Sequence, residues 1–305
     1  MAGTDDAPIV YPALILPDTV ERQCITLWAR GVALDGDIYR PKSRAVDQKI
    51  PAVVLSHGIG GDKETTSRYA ALFASSGMVA LTFTHSSWGN SRGPLLPTGS
   101  KPEPHDAADH SVTAQEVRNL LDPLDWVDSF RAAIDYIEGE PGVDTARIGA
   151  WGTSYGGGTA LYAAAVDKRI KALSVQVPAI FNLPEVFANK ARQRAIQIAR
   201  GEFDAIPQSQ DQLPGLKGTP HFARMAQYHV GDMVDFVDVP CLILDAENEE
   251  MFDVTQSGGR AHAKLKERGV ETCYEVLPNI DHYGIYFGGF ERGSTLANDW
   301  FAKHL

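Results

Sequence analysis

The chain has 305 residues, 44% hydrophobic and 22% charged, with 28 Lys and Arg against 39 Asp and Glu for a net charge of −11. That composition can bury a large core and excludes a disordered or collagen-like chain. The acidic balance argues against a nucleic-acid binder that tracks phosphates and against a polybasic membrane contact, and it says little about a small-molecule substrate.

Taken in chain order, the apolar period switches repeatedly between strand and helix. Residues 25–29 and 32–39 read as an extended pair that turns at Arg30-Gly31. The continuous apolar run 52–56 suits a strand buried on both faces, and residues 66–76 follow as a helix closed by Gly77. Residues 79–84 are a second buried strand, and residues 86–121 a long polar loop rich in Pro and Gly. Asp122-Pro123-Leu124-Asp125 is a helix start, with Trp126, Phe130, Ala133, Ile134 and Ile137 at helical spacing and Gly139 as the stop. A strand over 147–151, a helix over 157–166 and a strand over 173–177 come next.

The alternation then pauses. Residues 182–238 read as two or three helices with no strand, broken around Pro207, Pro214, Gly215, Gly218 and Pro220. It resumes with a strand over 241–244, a helix over 261–268, a strand over 273–276 and a helix from 294 to the C-terminus. The fold class is α/β, a mostly parallel sheet with helices on both faces. The expected core is 1–181 with 239–305, and 182–238 is an inserted helical cap.

The sharpest motif is Gly152-Thr153-Ser154-Tyr155-Gly156, a G-x-S-x-G between a buried strand and a helix of small residues. A tight strand-to-helix turn lifts a serine above the sheet, and glycines on both sides permit it. The bland alternative is a glycine-lined turn whose serine caps the helix. A nucleophilic Ser154 needs a base, and in this arrangement the order is nucleophile, acid, histidine. Of the later histidines, His221 and His229 lie in the cap, His262 among basic residues and His304 near the C-terminus. His282, in a loop between the last strand and the last helix, is the expected base.

The acid should follow the 241–244 strand, where Asp245, Glu247, Glu249, Glu250 and Asp253 compete. Glu249 falls in the turn and is preferred; Asp253, Glu247 and Asp245 are the rivals, and most of the five must be solvated. The oxyanion donors are expected to be the backbone amides of Tyr155 and Ile59, the latter in the Gly-rich loop after His57. His57 is expected to orient that loop. With no G-K-[ST] and no G-x-G-x-x-G, a nucleotide site is not indicated. His105, Asp106, Asp109 and His110 could ligate a metal, but they lack helical spacing and read as a solvated loop. Phe181, Phe187, Phe222, Met225, Tyr228 and Met233 of the cap are core in the default view; some could line an apolar pocket.

His57-Gly58-x-Gly60-Gly61, the loop Trp88-Gly89-Asn90-Ser91-Arg92-Gly93, the run from Val143-Asp144 through Ser154-Tyr155-Gly156-Gly157, and Asp281-His282 together resemble the α/β-hydrolase superfamily. The flavour is that of dienelactone-hydrolase-like and X-Pro-dipeptidyl-peptidase-like enzymes, over about 25–178 and 239–305. The resemblance implies a cofactor-free serine hydrolase of esters, lactones, thioesters or peptides. Two departures stand out. The family's acid is usually Asp, and some dienelactone hydrolases use Cys where this chain has Ser154. The expectation is therefore an ester or lactone hydrolase with catalytic Ser154, His282 and Glu249, and with Phe187, Tyr228 and Trp88 touching the substrate. An aminopeptidase or amidase would need an anionic site for an ammonium, for which Glu185 and Glu202 are faint candidates. A C–C hydrolase or acyltransferase could use the same triad, and a ligand-binding protein on a hydrolase scaffold is the non-enzyme alternative.

Cys24, Cys241 and Cys273 are far apart, and no C-x-x-C occurs. Neither a disulfide scaffold nor a zinc site is expected. The N-terminus lacks a basic region followed by an apolar run, and no stretch nears ~18 apolar residues. A cytoplasmic protein is the expectation.

Overall fold

Two antiparallel strands, β1 (Val20–Ala29) and β2 (Val32–Pro41), open the fold and turn through Arg30 and Gly31, both at positive φ. The structure is a computed structural model, and it describes residues 9–43, 45, 48–98, 111–203, 211–213 and 216–305. β1 alternates exposed and buried positions because it has a neighbour on one side only. β3 (Ile50–Ser56) and β4 (Val79–Phe83) are almost wholly buried, as their continuous apolar runs require. Between them α1 (Lys63–Ser75) begins three residues earlier than the apolar period suggests. Its start is set by Asp62, whose carboxylate accepts from Glu64 N while Thr65 Oγ1 accepts from Asp62 N.

The segment expected to be one long loop carries three short strands. β5 (Leu95–Pro97) pairs with β6 (Ala114–Glu116), and β7 (Leu120–Leu121) follows. The tract proposed as a metal-capable loop, with His105, Asp106, Asp109 and His110, lies outside the described residues. α2 (Pro123–Glu138) starts as the sequence predicts: Asp122 accepts from Leu124 N and Asp125 N, with Pro123 at the first helical position.

β8 (Val143–Thr153), α3 (Tyr155–Val166) and β9 (Ile170–Gln176) come next. The segment before the next sheet strand holds α4 (Glu185–Ala199), β10 (Thr219–Pro220), α5 (Phe222–Met225) and α6 (Val230–Met233). The absence of strand expected there is corrected by β10, which pairs parallel with β7. Arg224 reinforces this junction by donating to Asp122 at 3.0 Å. β11 (Cys241–Ala246), α7 (Gly258–Glu267), β12 (Thr272–Leu277) and α8 (Phe290–His304) complete the chain.

The main sheet has the order β1-β2-β4-β3-β8-β9-β11-β12, parallel from β4 onward. One face is covered by α2, α3 and α7, with Phe130, Ile134 and Leu161 in its core. The other is covered by α1 and α8, with Phe73, Trp151 and Phe301 in its core. Each such large side chain contributes roughly 1.5–3 kcal/mol on burial. The carboxyl ends of β3, β8 and β11 share one edge of the parallel sheet, where ligand crevices form in such folds. Among the described residues, no helix is long and apolar enough to cross a membrane.

Candidate active site

Ser154 follows the last residue of β8 and precedes the first of α3, with φ 54° and ψ −126°. A non-glycine residue at positive φ is strained, and close packing holds it there. A Cβ on Gly152 would lie 2.3 Å from the Gly156 carbonyl oxygen, and one on Gly156 would lie 2.2 Å from that of His57. Both positions therefore admit glycine alone, which is why the motif is written as it is. Ser154 N donates to Gln176 O at 3.0 Å, tying the turn to β9. The amino end of α3 lies directly behind the serine and favours negative charge there.

His282 meets this serine from the loop after β12. Its Nε2 is 3.0 Å from Ser154 Oγ, and its Nδ1 is 2.9 and 2.8 Å from the two carboxylate oxygens of Glu249. The side chains of both partners are almost fully buried. A carboxylate only accepts, so the proton sits on Nδ1, and Nε2 is left free to accept from the serine hydroxyl. The acid turn and the histidine loop are laced together by the backbone. Glu247 N donates to Leu277 O, Asn248 N to Ile280 O and His282 N to Glu250 Oε2. Met251 N donates to Glu249 Oε1 at 2.9 Å, which fixes the carboxylate.

The rival acids are occupied elsewhere. Asp253 caps a short turn through Thr255 N, and Glu247 accepts from Asn279 N. Asp245 is fully buried and accepts from Tyr274 Oη at 2.9 Å; burial, with Glu249 nearby, pushes its pKa up to about 7. None of them reaches His282.

The Gly-rich loop after β3 stands against the serine. A Cβ on Gly58 would lie 2.9 Å from Ser154 Cβ and 3.3 Å from its Oγ. Among the described residues, the amides of Ile59 and Tyr155 have no acceptor. His57 is fully buried, and burial lowers its pKa to about 4. It lies within a cluster in which His85 stacks on Trp126 at 4.0 Å and Trp126 meets Tyr155 edge-on.

A cavity of about 130 Å³ opens at Ser154 and His282, with Tyr11, Ile59, Lys217, Met251, Tyr283 and Tyr286 among its walls. The three expected substrate contacts are not among them. Trp88 lines a neighbouring cavity of about 400 Å³ and donates its indole N–H to Leu120 O. Tyr228 lines a small apolar cavity of about 70 Å³ behind Tyr155 and stacks on Tyr162. Phe187 lines none of these three. A count of aromatics in the insertion carries no information on which way each one points. Sequence reasoning missed Tyr11, which comes from the N-terminal segment and packs edge-on to Tyr286 at 5.1 Å. A larger cavity of about 610 Å³ lies between Trp28, Arg92 and Asp128 and contains none of the Ser154, His282 and Glu249 set. Among the described residues, no group of three or more His, Cys, Asp or Glu could hold a metal ion.

The family model of the X-Pro dipeptidyl-peptidases (S15 family) matches residues 30–210, and that of the prolyl oligopeptidase family matches residues 123–305. The chain belongs to the α/β-hydrolase superfamily of serine hydrolases. Within it, this hydrolase is 36% identical over 156 residues to the uncharacterised protein PA2218 of Pseudomonas aeruginosa, a match covering 50% of this chain and 36% of that one. The crystal structure of PA2218 covers 96% of each chain with a TM-score of 0.65 at 22% identity, which speaks for the fold. Thiohydrolase aneE of Aspergillus aculeatus is 30% identical over 186 residues, covering 58% of this chain and 50% of that one. Quorum-quenching protein AidA of Acinetobacter baumannii is 30% identical over 142 residues, covering 46% and 38%. The sequence matches thus span about a third to a half of the length of these three relatives.

Proposed function

We propose that this hydrolase cleaves a carboxylic ester or lactone through an acyl-enzyme on Ser154. The observation that carries the proposal is the continuous hydrogen-bonded chain from Ser154 Oγ through the His282 ring to Glu249. In the first step Ser154 Oγ attacks the carbonyl carbon while His282 Nε2 takes its proton, and Glu249 stabilises the resulting imidazolium. The amides of Ile59 and Tyr155 receive the negative oxygen of the tetrahedral intermediate. His282 then passes the proton to the departing alcohol, and water releases the acid by the same route. The helices between β9 and β11 act as a cap, and Leu216 and Lys217 from that stretch line the Ser154 cavity. The free cysteines support a reducing, cytoplasmic setting.

A fluorophosphonate should label Ser154, and p-nitrophenyl esters should be turned over. Ser154→Ala should abolish labelling and lower kcat by roughly 10³-fold or more with the fold intact. Retained activity in the folded variant would sink the proposal. The name of the Aspergillus aculeatus relative, a thiohydrolase, favours thioesters as a second substrate class.

A further inference from the structure

The charges around the Ser154 cavity are one-sided. Among the described residues, Lys217 is the only Lys or Arg that lines it, and no carboxylate does. This is unexpected in a chain with a net charge of −11. Arg22, Lys63 and Arg224 each face a carboxylate within 3.2 Å. Lys217 has no such partner among the described residues.

The Lys217 side chain is exposed and lies along Gly60. A Cβ on Gly60 would lie 2.4 Å from Lys217 Cδ and 3.4 Å from its Nζ, so the stem lies across the face of Gly60 and the ammonium stands beside it. Gly60 is one residue from Ile59, the proposed oxyanion donor. Lys217 also lines the adjoining cavity of about 400 Å³, so it stands where the two cavities meet. Asp62 lines that second cavity; its carboxylate caps α1 and also acts electrostatically on Tyr11.

We propose that Lys217 binds an anionic group of the substrate, so that the preferred ester or lactone carries a carboxylate near the scissile carbonyl. This rests on the hydrolase reading of Ser154 and specifies its substrate. An exposed ammonium at the rim of a cleft, with no carboxylate partner among the described residues, attracts an anion. Tyr11 lines the same cavity, and burial raises its pKa to about 12, so its hydroxyl keeps its proton at neutral pH as an additional donor. The same charge pattern opposes a substrate with a free ammonium, because among the described residues no carboxylate lines the cavity to receive it.

The test compares kcat/KM for p-nitrophenyl hemiglutarate with that for p-nitrophenyl valerate, its neutral counterpart of equal length. The wild type should favour the anionic ester. Lys217→Ala should lower the anionic-to-neutral ratio about 10- to 100-fold, as expected for losing a hydrogen bond to a charged group. Lys217→Glu should lower it further, and Lys217→Arg should restore most of it. Independently of turnover, glutarate should slow fluorophosphonate labelling of Ser154 in the wild type and not in Lys217→Ala. Normal labelling with a ratio unchanged in the Ala and Glu variants overturns this inference alone. No labelling and no turnover of either ester overturns the hydrolase reading and this inference with it.

Discussion

Asp245 is the most informative single substitution outside the site, because its burial makes a statement about both stability and role. It is the penultimate residue of β11 with no solvent exposure, receives one hydrogen bond from Tyr274 and has no partner for Oδ1 among the described residues. Burial raises its pKa from the usual 3.8 to about 7. A carboxyl whose folded pKa lies above its unfolded value binds its proton more tightly when folded. Its contribution to stability is therefore complete below pH 3.8, declines as the pH rises and is lost above about 7. At 1.36 kcal/mol per pH unit the full swing is about 4 kcal/mol. His57 has the opposite sign: its folded pKa is lowered to about 4, so its contribution is complete above 6.5 and is lost as the pH falls through about 4. The two overlap, so only the difference between wild type and Asp245→Asn isolates the carboxyl.

Asparagine keeps the shape and the acceptor for Tyr274 and cannot ionise. Urea unfolding followed by tryptophan fluorescence should find the variant within about 1 kcal/mol of wild type near pH 4. By pH 8 it should be more stable by up to about 4 kcal/mol. Because Asp245 bonds to Tyr274 and not to His282, kcat/KM should stay within about tenfold of wild type. A stability difference that does not change with pH would refute the burial argument. A loss of activity by orders of magnitude would refute the assignment of Asp245 to a supporting role.

Two further outcomes bear on the site itself. Glu249→Gln keeps the shape but removes the charge behind His282, and should lower kcat by about 10⁴, the loss known for the matching change in a serine protease; steady-state kinetics on the folded variant would show it, and a loss of only a few-fold would contradict the role. Gly58→Ala places a methyl 2.9 Å from Ser154 Cβ, so esterase activity should fall by roughly 10²-fold. A calorimetric scan alongside should show a drop in Tm too small to account for it, and unaltered activity would mean that the loop does not close on the serine.

What could be read from the sequence follows from how local each signal is. The turn at Ser154 is written in adjacent glycines whose Cβ atoms would collide with backbone. Its position relative to β8 and α3 was therefore legible. Glu249 was legible as a turn residue after β11, although four other carboxylates share that stretch; only the folded geometry shows that Asp245 faces Tyr274 and that Asp253 caps its own turn. The start of α1 was missed because its signal is polar, Asp62 and Thr65 at capping-box spacing, and lies outside the apolar period. The cavity wall was not legible. Tyr11 and Lys217 come from segments without periodicity, roughly 200 residues apart, and meet Ser154 only through tertiary packing. Trp88, Tyr228 and Phe187 do not line the Ser154 cavity, since an aromatic residue in a plausible segment has no direction until the chain folds.

The loop beside Ser154 shows how a buried imidazole can set the direction of a backbone amide two residues away. His85 N–H donates to His57 Nε2 at 3.1 Å, so that nitrogen carries no proton. The proton must then be on Nδ1, which donates to Gly58 O at 2.8 Å. Both contacts are made in the neutral ring, and burial keeps it neutral by lowering its pKa to about 4. Gly61 N donates to the same carbonyl at 3.1 Å. In a planar trans peptide the carbonyl and the following N–H point in opposite directions. Holding Gly58 O toward the His57 ring and Gly61 therefore turns Ile59 N–H away from them. Ile59 lines the Ser154 cavity and its amide has no acceptor among the described residues, as the proposed role of oxyanion donor requires. This alignment is present without substrate, so in the proposed mechanism the donor needs no reorganisation as charge develops. Ser56 Oγ bonds to His85 Nε2 at 2.7 Å and Trp126 stacks on the same ring, so the brace extends from β3 to α2 and is anchored in the core.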